Sequence, residues 1–319
     1  MSLTNAGFLG QNQLLQHLIQ DGPYNVQFLQ VWPWYGVQGK QLDITTTPRF
    51  PIPTAQLLGP CDPIKEQTRD PDIKRFQIVA IQNRYDICIT DADAVEVPNN
   101  LYAEQDVLAW AGCVYDYARL LDTGNAAPFF PSLLSLADPV EGVVDLAGAV
   151  PQLEDFNRTL LRVTTNNGFD VIVMGNLQAL ATYWSQAYER GTDPYFWMQN
   201  VPVNMGGEVP RPQAFVQHAR WYVNELIPNR TLPGGEVVTN VYFIQLGTNP
   251  NFGTAKGVFG IVPEPRVGNM FVRREHVGHM NDDGTFNTTH TVFWSFPCGV
   301  AVAARRSLAV LKDMQIAAF

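Results

Sequence analysis

Charge is scarce in this chain. Only 16% of its 319 residues are Asp, Glu, Lys or Arg, while 46% are hydrophobic; ordinary globular chains are about a quarter charged. A surface so poor in charge is expected to be covered by neighbours, so composition points to an oligomer. Basic residues are the rarer sign, 21 against 30 acidic ones, and the net charge of −9 argues against wrapping nucleic acid through a basic face. Cysteine is rarer still. Cys61, Cys88, Cys113 and Cys298 are scattered with no C-x-x-C pair, so they are expected to be reduced, mostly buried thiols in a cytoplasmic setting. No apolar run is long enough to span a bilayer. The opening MSLTNAGFLGQNQ lacks the basic segment and apolar core of a secretory signal.

Catalytic signatures are missing as well. There is no G-x-x-x-x-G-K-[ST], no G-x-G-x-x-G after a strand, no G-x-S-x-G and no H-E-x-x-H. The best metal candidates are His276, His279, Asp282, Asp283 and His290. On a strand, positions 276 and 279 point to opposite faces, so a polar hairpin tip is the better reading. Cys298, between Pro297 and Gly299 in an apolar strand, reads as an inert buried thiol. Glu154 and Asp155 read as favourable charge near a helix N-terminus. The adjacent pairs Arg273–Arg274 and Arg305–Arg306 send one side chain to each face of a strand. They read as ordinary surface charge, with contact to a neighbouring subunit's acids as the alternative. No catalytic, cofactor-binding or metal-binding residue is assigned, and no enzyme is expected.

Proline is present and concentrated. Pro48, Pro51, Pro53, Pro60, Pro63 and Pro71 fall between Lys40 and Asp72 and forbid a helix or a central strand there. A structureless loop of this length is uncommon inside a compact domain and either has a function or is a flexible linker. Two extended limbs of about fifteen residues would reach roughly 50 Å. Ahead of it, residues 1 to about 40 read as an arm. Trp32 and Trp34 flank Pro33 there and need a surface to cover them, either this chain's or a neighbour's.

After the loop, Lys74 to Thr90 alternates as a strand with a break at Gln82–Asn83. A helix follows from a candidate cap at Asn100 to about Leu121, with Glu104 and Asp106 near its positive end. Its apolar rows cover most of its circumference, which implies burial on more than one face. Residues 122–150 read as a crossing between domains. Pro151 opens a helix with Leu153, Phe156, Leu160 and Val163 on one side. FDVIVM is a buried strand, and Asn176 caps another helix. From Thr192 to Pro233 little regularity is visible. Val237 to Leu246 is a strong strand, with Val238, Tyr242, Ile244 and Leu246 facing one way. Met270–Val277 should pair with Thr285–Phe296 around an Asp283–Gly284 turn.

The order of pieces from Phe215 to Leu311 is the most specific signal. An "IP" loop and a Pro/Gly turn precede T-x-x-Y-F-x-x-L-G (Thr239–Gly247). GTAKGVFGIVPEP follows, then a long hairpin carrying Trp294, then R-x-L-A-x-L (Arg306–Leu311). This order resembles the major capsid proteins of tailed double-stranded DNA bacteriophages, the Hong Kong 97-type shell fold. The strand DVIVM leading into a helix resembles the centre of that family's axial domain. The resemblance implies a mixed α/β (α+β) fold with an N-terminal arm (1–40) and an extended loop (41–75) lying across the adjacent subunit. It implies a peripheral domain (76–145 and 263–300) with a long spine helix at about 100–121, and an axial domain (146–262 and 301–319).

The function so implied is mechanical. Copies form pentamers and hexamers of an icosahedral head enclosing double-stranded DNA without sequence-specific binding. Other expected partners are a portal protein and scaffolding or decoration proteins, with no membrane. The expected location is the virion capsid, and the host cytoplasm during assembly. An encapsulin-type nanocompartment shell, with the same fold, is the alternative, and an unrelated cytosolic enzyme a more distant one. Some family members crosslink a loop lysine to an asparagine. Lys40, Lys65 and Lys74 lie in or beside the loop here, but no motif singles one out.

Overall fold

The structure is a computed structural model and describes residues 26–46, 72–88, 101–124, 130–163, 171–190, 197–203, 207–247, 257–264, 270–276 and 289–316. In chain order its elements are β1 (Trp34–Val37), β2 (Gln41–Thr46), β3 (Asp72–Gln77), β4 (Val79–Cys88), the spine helix α1 (Leu101–Thr123), α2 (Leu133–Leu136), β5 (Val143–Asp145), α3 (Leu153–Arg162), β6 (Val171–Gly175) and α4 (Leu177–Glu189). Then come β7 (Trp197–Val203), β8 (Gly207–Gln213), β9 (Phe215–Val216), β10 (Ala219–Val223), β11 (Arg230–Thr231), β12 (Val237–Gln245), β13 (Val258–Pro263), β14 (Val272–His276), β15 (Thr289–Val302) and β16 (Leu308–Gln315). Among the described residues the strands form a seven-stranded sheet, a five-stranded sheet and two two-stranded ribbons.

The seven-stranded sheet runs β5-β16-β12-β6-β10-β9, with β11 on β12. Its central strands are buried on both faces, which explains why VIVMG and VYFIQ read as nearly unbroken apolar runs. Tyr242 and Ile244 feed one core, with Leu246 packed against it, and Val241 and Phe243 feed the other. A bulge between Thr239 and Val241 interrupts the alternation at the Val238 end. Phe156 and Leu160 of α3 and Leu180 and Tyr183 of α4 cover the second core, where Tyr183 stacks on Trp221 at 5.8 Å. Asn176 caps α4 as expected, its side chain accepting from the Ala179 N–H at 2.8 Å.

The region from Thr192 to Pro233, expected to be irregular, holds β7 to β11 instead. β10 is an inner strand parallel to β6, with Trp221 opposite Val173. Pro202, Pro210 and Pro212 sit in the β7–β8 ribbon, where each strand has one partner among the described residues. A missing N–H is tolerated at such an edge.

In the five-stranded sheet the fourteen-residue β15 is the hub: β4 and β14 pair with its first part and β13 with its end. The predicted pairing of β14 with β15 is present, and the Asp283–Gly284 turn lies outside the described residues. The expected strand break moves from Gln82–Asn83 to Ile78. There the chain passes from its ribbon with β2 to its ladder with β15, and the Ile78 N–H bonds the Lys40 carbonyl at 2.9 Å. Asn83 stays in register opposite Trp294, because its amide finds a partner in the Ala109 carbonyl of the spine helix at 3.1 Å. The helix comes so close at this point that a Cβ on Gly112 would sit 2.7 Å from the Asn83 amide.

The tryptophan-rich stretch is covered by this chain itself. Val26, Phe28, Leu29 and Trp32 are buried, and β1 pairs in parallel with β13. Trp34 packs 5.2 Å from Tyr117 and 5.6 Å from Phe296, and the Trp32 indole donates to the Tyr117 hydroxyl at 3.0 Å. Gly260 is required where these rings cross the sheet: a Cβ there would overlap the Trp34 indole.

Candidate functional site

Among the described residues no group of three His, Cys, Asp or Glu is placed to hold a metal ion. His276 is exposed on β14, edge-on to Phe293 at 5.9 Å. His290 is buried, 3.7 Å from Glu275. Burial and the nearby Arg273 charge push the His290 imidazole pKa down. His279, Asp282 and Asp283 lie outside the described residues. Cys113 and Cys298 are buried thiols, and burial pushes Cys113 up to about 12 and Cys298 well above its ordinary value. Thiols held this firmly protonated are poor nucleophiles.

The side-chain clusters that the described residues do build lie along α1. Its second half is buried nearly all round, by Cys113, Val114, Tyr117, Ala118, Leu120 and Leu121, whereas Val107 and Leu108 in its first half are exposed. Burial on more than one face therefore holds from Ala109 onward, and Val107 and Leu108 depart from it.

Near its start, Asp106 is the hub of a buried polar cluster. Its carboxylate accepts from the Tyr85 hydroxyl at 2.6 Å, the Trp294 indole at 2.7 Å and the Arg273 guanidinium at 3.0–3.2 Å. Arg273 also pairs with Glu275. Burial, then the adjacent Asp106 carboxylate, pushes the Tyr85 hydroxyl up. Sequence had Asp106 as a helix-dipole charge and Arg273 as a surface or intersubunit charge; both instead join α1, β4, β14 and β15 of one chain. Local spacing could not reveal this, because Arg273 and Trp294 lie more than 160 residues from Asp106.

Near its end, Asp122 accepts from Asn240 at 2.9 Å and from the Tyr242 hydroxyl, both on β12. Arg306 bonds the Leu161 and Arg162 carbonyls that end α3, and Arg305 faces Asp138 at 4.0 Å. Glu154 meets Arg190, and Asp155 accepts from the Gln152 N–H at 2.9 Å, closing the start of α3.

The loop region starts from a ribbon. β2 and β3 pair antiparallel from Gln41↔Gln77 to Thr46↔Asp72, and Arg75 bonds Asp43 across it at 3.1 Å. Phe76 is buried at its root, with Leu42 and Ile44 packed against the same small core, while Ile73 is exposed. Residues 47–71, including Lys65, lie outside the described residues. Lys40 is exposed, and Lys74 is half-buried on the ribbon.

No family model matches the sequence, and no curated protein does. Solved structures match at low identity. The holo-SrpI encapsulin complex from Synechococcus elongatus PCC 7942 is 16% identical, with a TM-score of 0.65 over 92% of this chain and 89% of that one. The capsid of a native GTA particle is 11% identical, TM-score 0.58, over 90% and 89%. Mycobacterium phage Adephagia gives 10% identity, TM-score 0.53, over 95% and 94%. The chain therefore has the mixed α+β, Hong Kong 97-type capsid fold that these structures share.

Proposed function

We propose that this chain is the major capsid protein of a tailed phage, closing through pentamers and hexamers into an icosahedral head around double-stranded DNA. The observation that carries the reading is the spine helix and paired ribbon set on two sheets, in a fold matched along nearly the whole chain by shells. Its division into arm (1–40), extended loop (41–75), peripheral domain (76–145 and 263–300) and axial domain (146–262 and 301–319) belongs to this proposal, with the arm packing into the body from Val26 onward. Low charge and apolar residues left open on the ribbon and helix, Ile73 and Leu108, fit a surface covered by other copies. The role is structural rather than enzymatic. A portal, scaffolding or decoration proteins and the packaged genome are the further partners.

An encapsulin-type compartment is the second reading, favoured by the 0.65 TM-score to the encapsulin. Purified particles decide between them: genome-length DNA inside supports the head, and a protein cargo without DNA replaces it with the compartment. Deleting residues 45–70 tests the shell reading itself. The subunit should stay folded and soluble yet yield no stable particles, and normal particles from that deletion would refute the loop's role.

A further inference from the structure

The spine helix runs from one large sheet to the other, and its last turns are held by hydrogen bonds as well as by apolar packing. Asp122, 7% exposed, accepts from the Asn240 amide and the Tyr242 hydroxyl. Asn240 is fixed in turn: its side-chain oxygen accepts from Arg230 at 2.6 Å and from the Asp313 N–H at 3.2 Å. Asn224, fully buried just past β10, donates to the Ala118 carbonyl of the helix at 3.1 Å. The helix end is thus tied to β12, to the segment after β10 and, through Asn240, to β16. Apolar contacts alone allow one surface to slide on another. Hydrogen bonds tolerate only narrow ranges of distance and angle, and a connected set of them selects one arrangement.

We propose that Asp122, Asn240, Tyr242 and Asn224 are positioning residues that set the angle between the two sheets, and through it the curvature at which copies of this chain close. This rests on the shell reading. In a closed assembly the same subunit shape recurs in every copy, so a small change of angle alters the size of the whole. The Asp106 cluster differs in kind. It ties the helix to the sheet it already lies on, so its loss loosens the subunit without re-aiming one sheet against the other.

The test compares wild type, Tyr242→Phe, Asp122→Asn and Asp106→Asn by particle diameter in electron micrographs and by Tm. Tyr242→Phe and Asp122→Asn should shift the mean diameter where the angle is reset, or broaden its spread by about twofold or more where the angle is loosened, because every copy carries the change. Asp106→Asn should lower Tm and leave the diameter unchanged. If Tyr242→Phe does not fold, the isosteric Asp122→Asn decides. Wild-type diameters from the Asp122 and Tyr242 variants would overturn the inference, and so would an equal shift or broadening from Asp106→Asn. A wild type that forms no closed particles would overturn the shell reading, and this inference with it.

Discussion

The two large sheets bury their surfaces by different means. The seven-stranded sheet is covered on one face by α3 and α4, and its inner strands are apolar on both sides. The five-stranded sheet leans on one long helix, on tryptophans from β1 and the segment before it, and on a buried carboxylate clamped by Tyr85, Trp294 and Arg273. The first arrangement rests mostly on area, with polar joints at Asn176 and Asn240. The second needs particular partners in particular places, so it should respond to substitutions that leave volume almost unchanged.

Loss of volume should hurt the seven-stranded sheet most. Phe243→Ala removes a fully buried ring from its central strand and should cost about 4 kcal/mol, read from chemical denaturation. A cost under about 1 kcal/mol would mean the sheet is less close-packed than its burial implies. Loss of one polar partner should hurt the five-stranded sheet next. Asp106→Ala strands Arg273 and two other donors and should cost about 3 kcal/mol. If Asp106→Ala proves neutral in the same assay, the contrast between the sheets collapses.

Asn176→Ala probes a polar joint inside the otherwise apolar sheet. The side chain caps α4 and also donates to the Ile227 carbonyl and the Thr239 hydroxyl. Its removal should cost roughly 2 kcal/mol, and a loss as large as that of Phe243→Ala would place the sheet's strength in its polar joints.

The smallest effect is electrostatic. Lys312 bonds Asp145 at 2.7 Å and holds its carboxyl below the ordinary value. A depressed carboxylate pKa contributes stability above the unfolded pKa and loses it as pH falls through the folded one. Wild type should therefore exceed Asp145→Asn at pH 6 by less than about 1 kcal/mol, because the pair is partly exposed. That margin should close below about pH 4. A margin that grows on acidification would reverse the assigned sign.

Much of this was legible in the sequence, for reasons that differ from element to element. The helices α1, α3 and α4, the strands β6 and β12, and the β14–β15 pairing announced themselves through periodicity and through a cap at Asn176 that depends only on neighbours in sequence, whereas α2 and β5 went unread in the stretch taken as a crossing. The order of segments from Phe215 to Leu311 matched the shell fold even though no catalytic or binding motif was present. Proline and glycine density hid β7 and β8, because it leaves no clear period-2 pattern even where an edge ribbon tolerates proline. The Asp106 and Asp122 joints were unreadable, since each unites residues from four or two elements far apart along the chain. The cover over Trp32 and Trp34 was undecidable for the same reason: an aromatic's need for shelter does not say who provides it.

The pairing of β2 with β3 has a mechanical consequence. A single extended strand carries load only when pulled, like a thread. Two strands laced by backbone bonds and rooted through Phe76 also resist bending and torsion, like a thin beam cantilevered from a wall. Whatever presses on its far end therefore delivers torque to the root beside β13 and β15, so a load applied from outside is felt as a twist within the body.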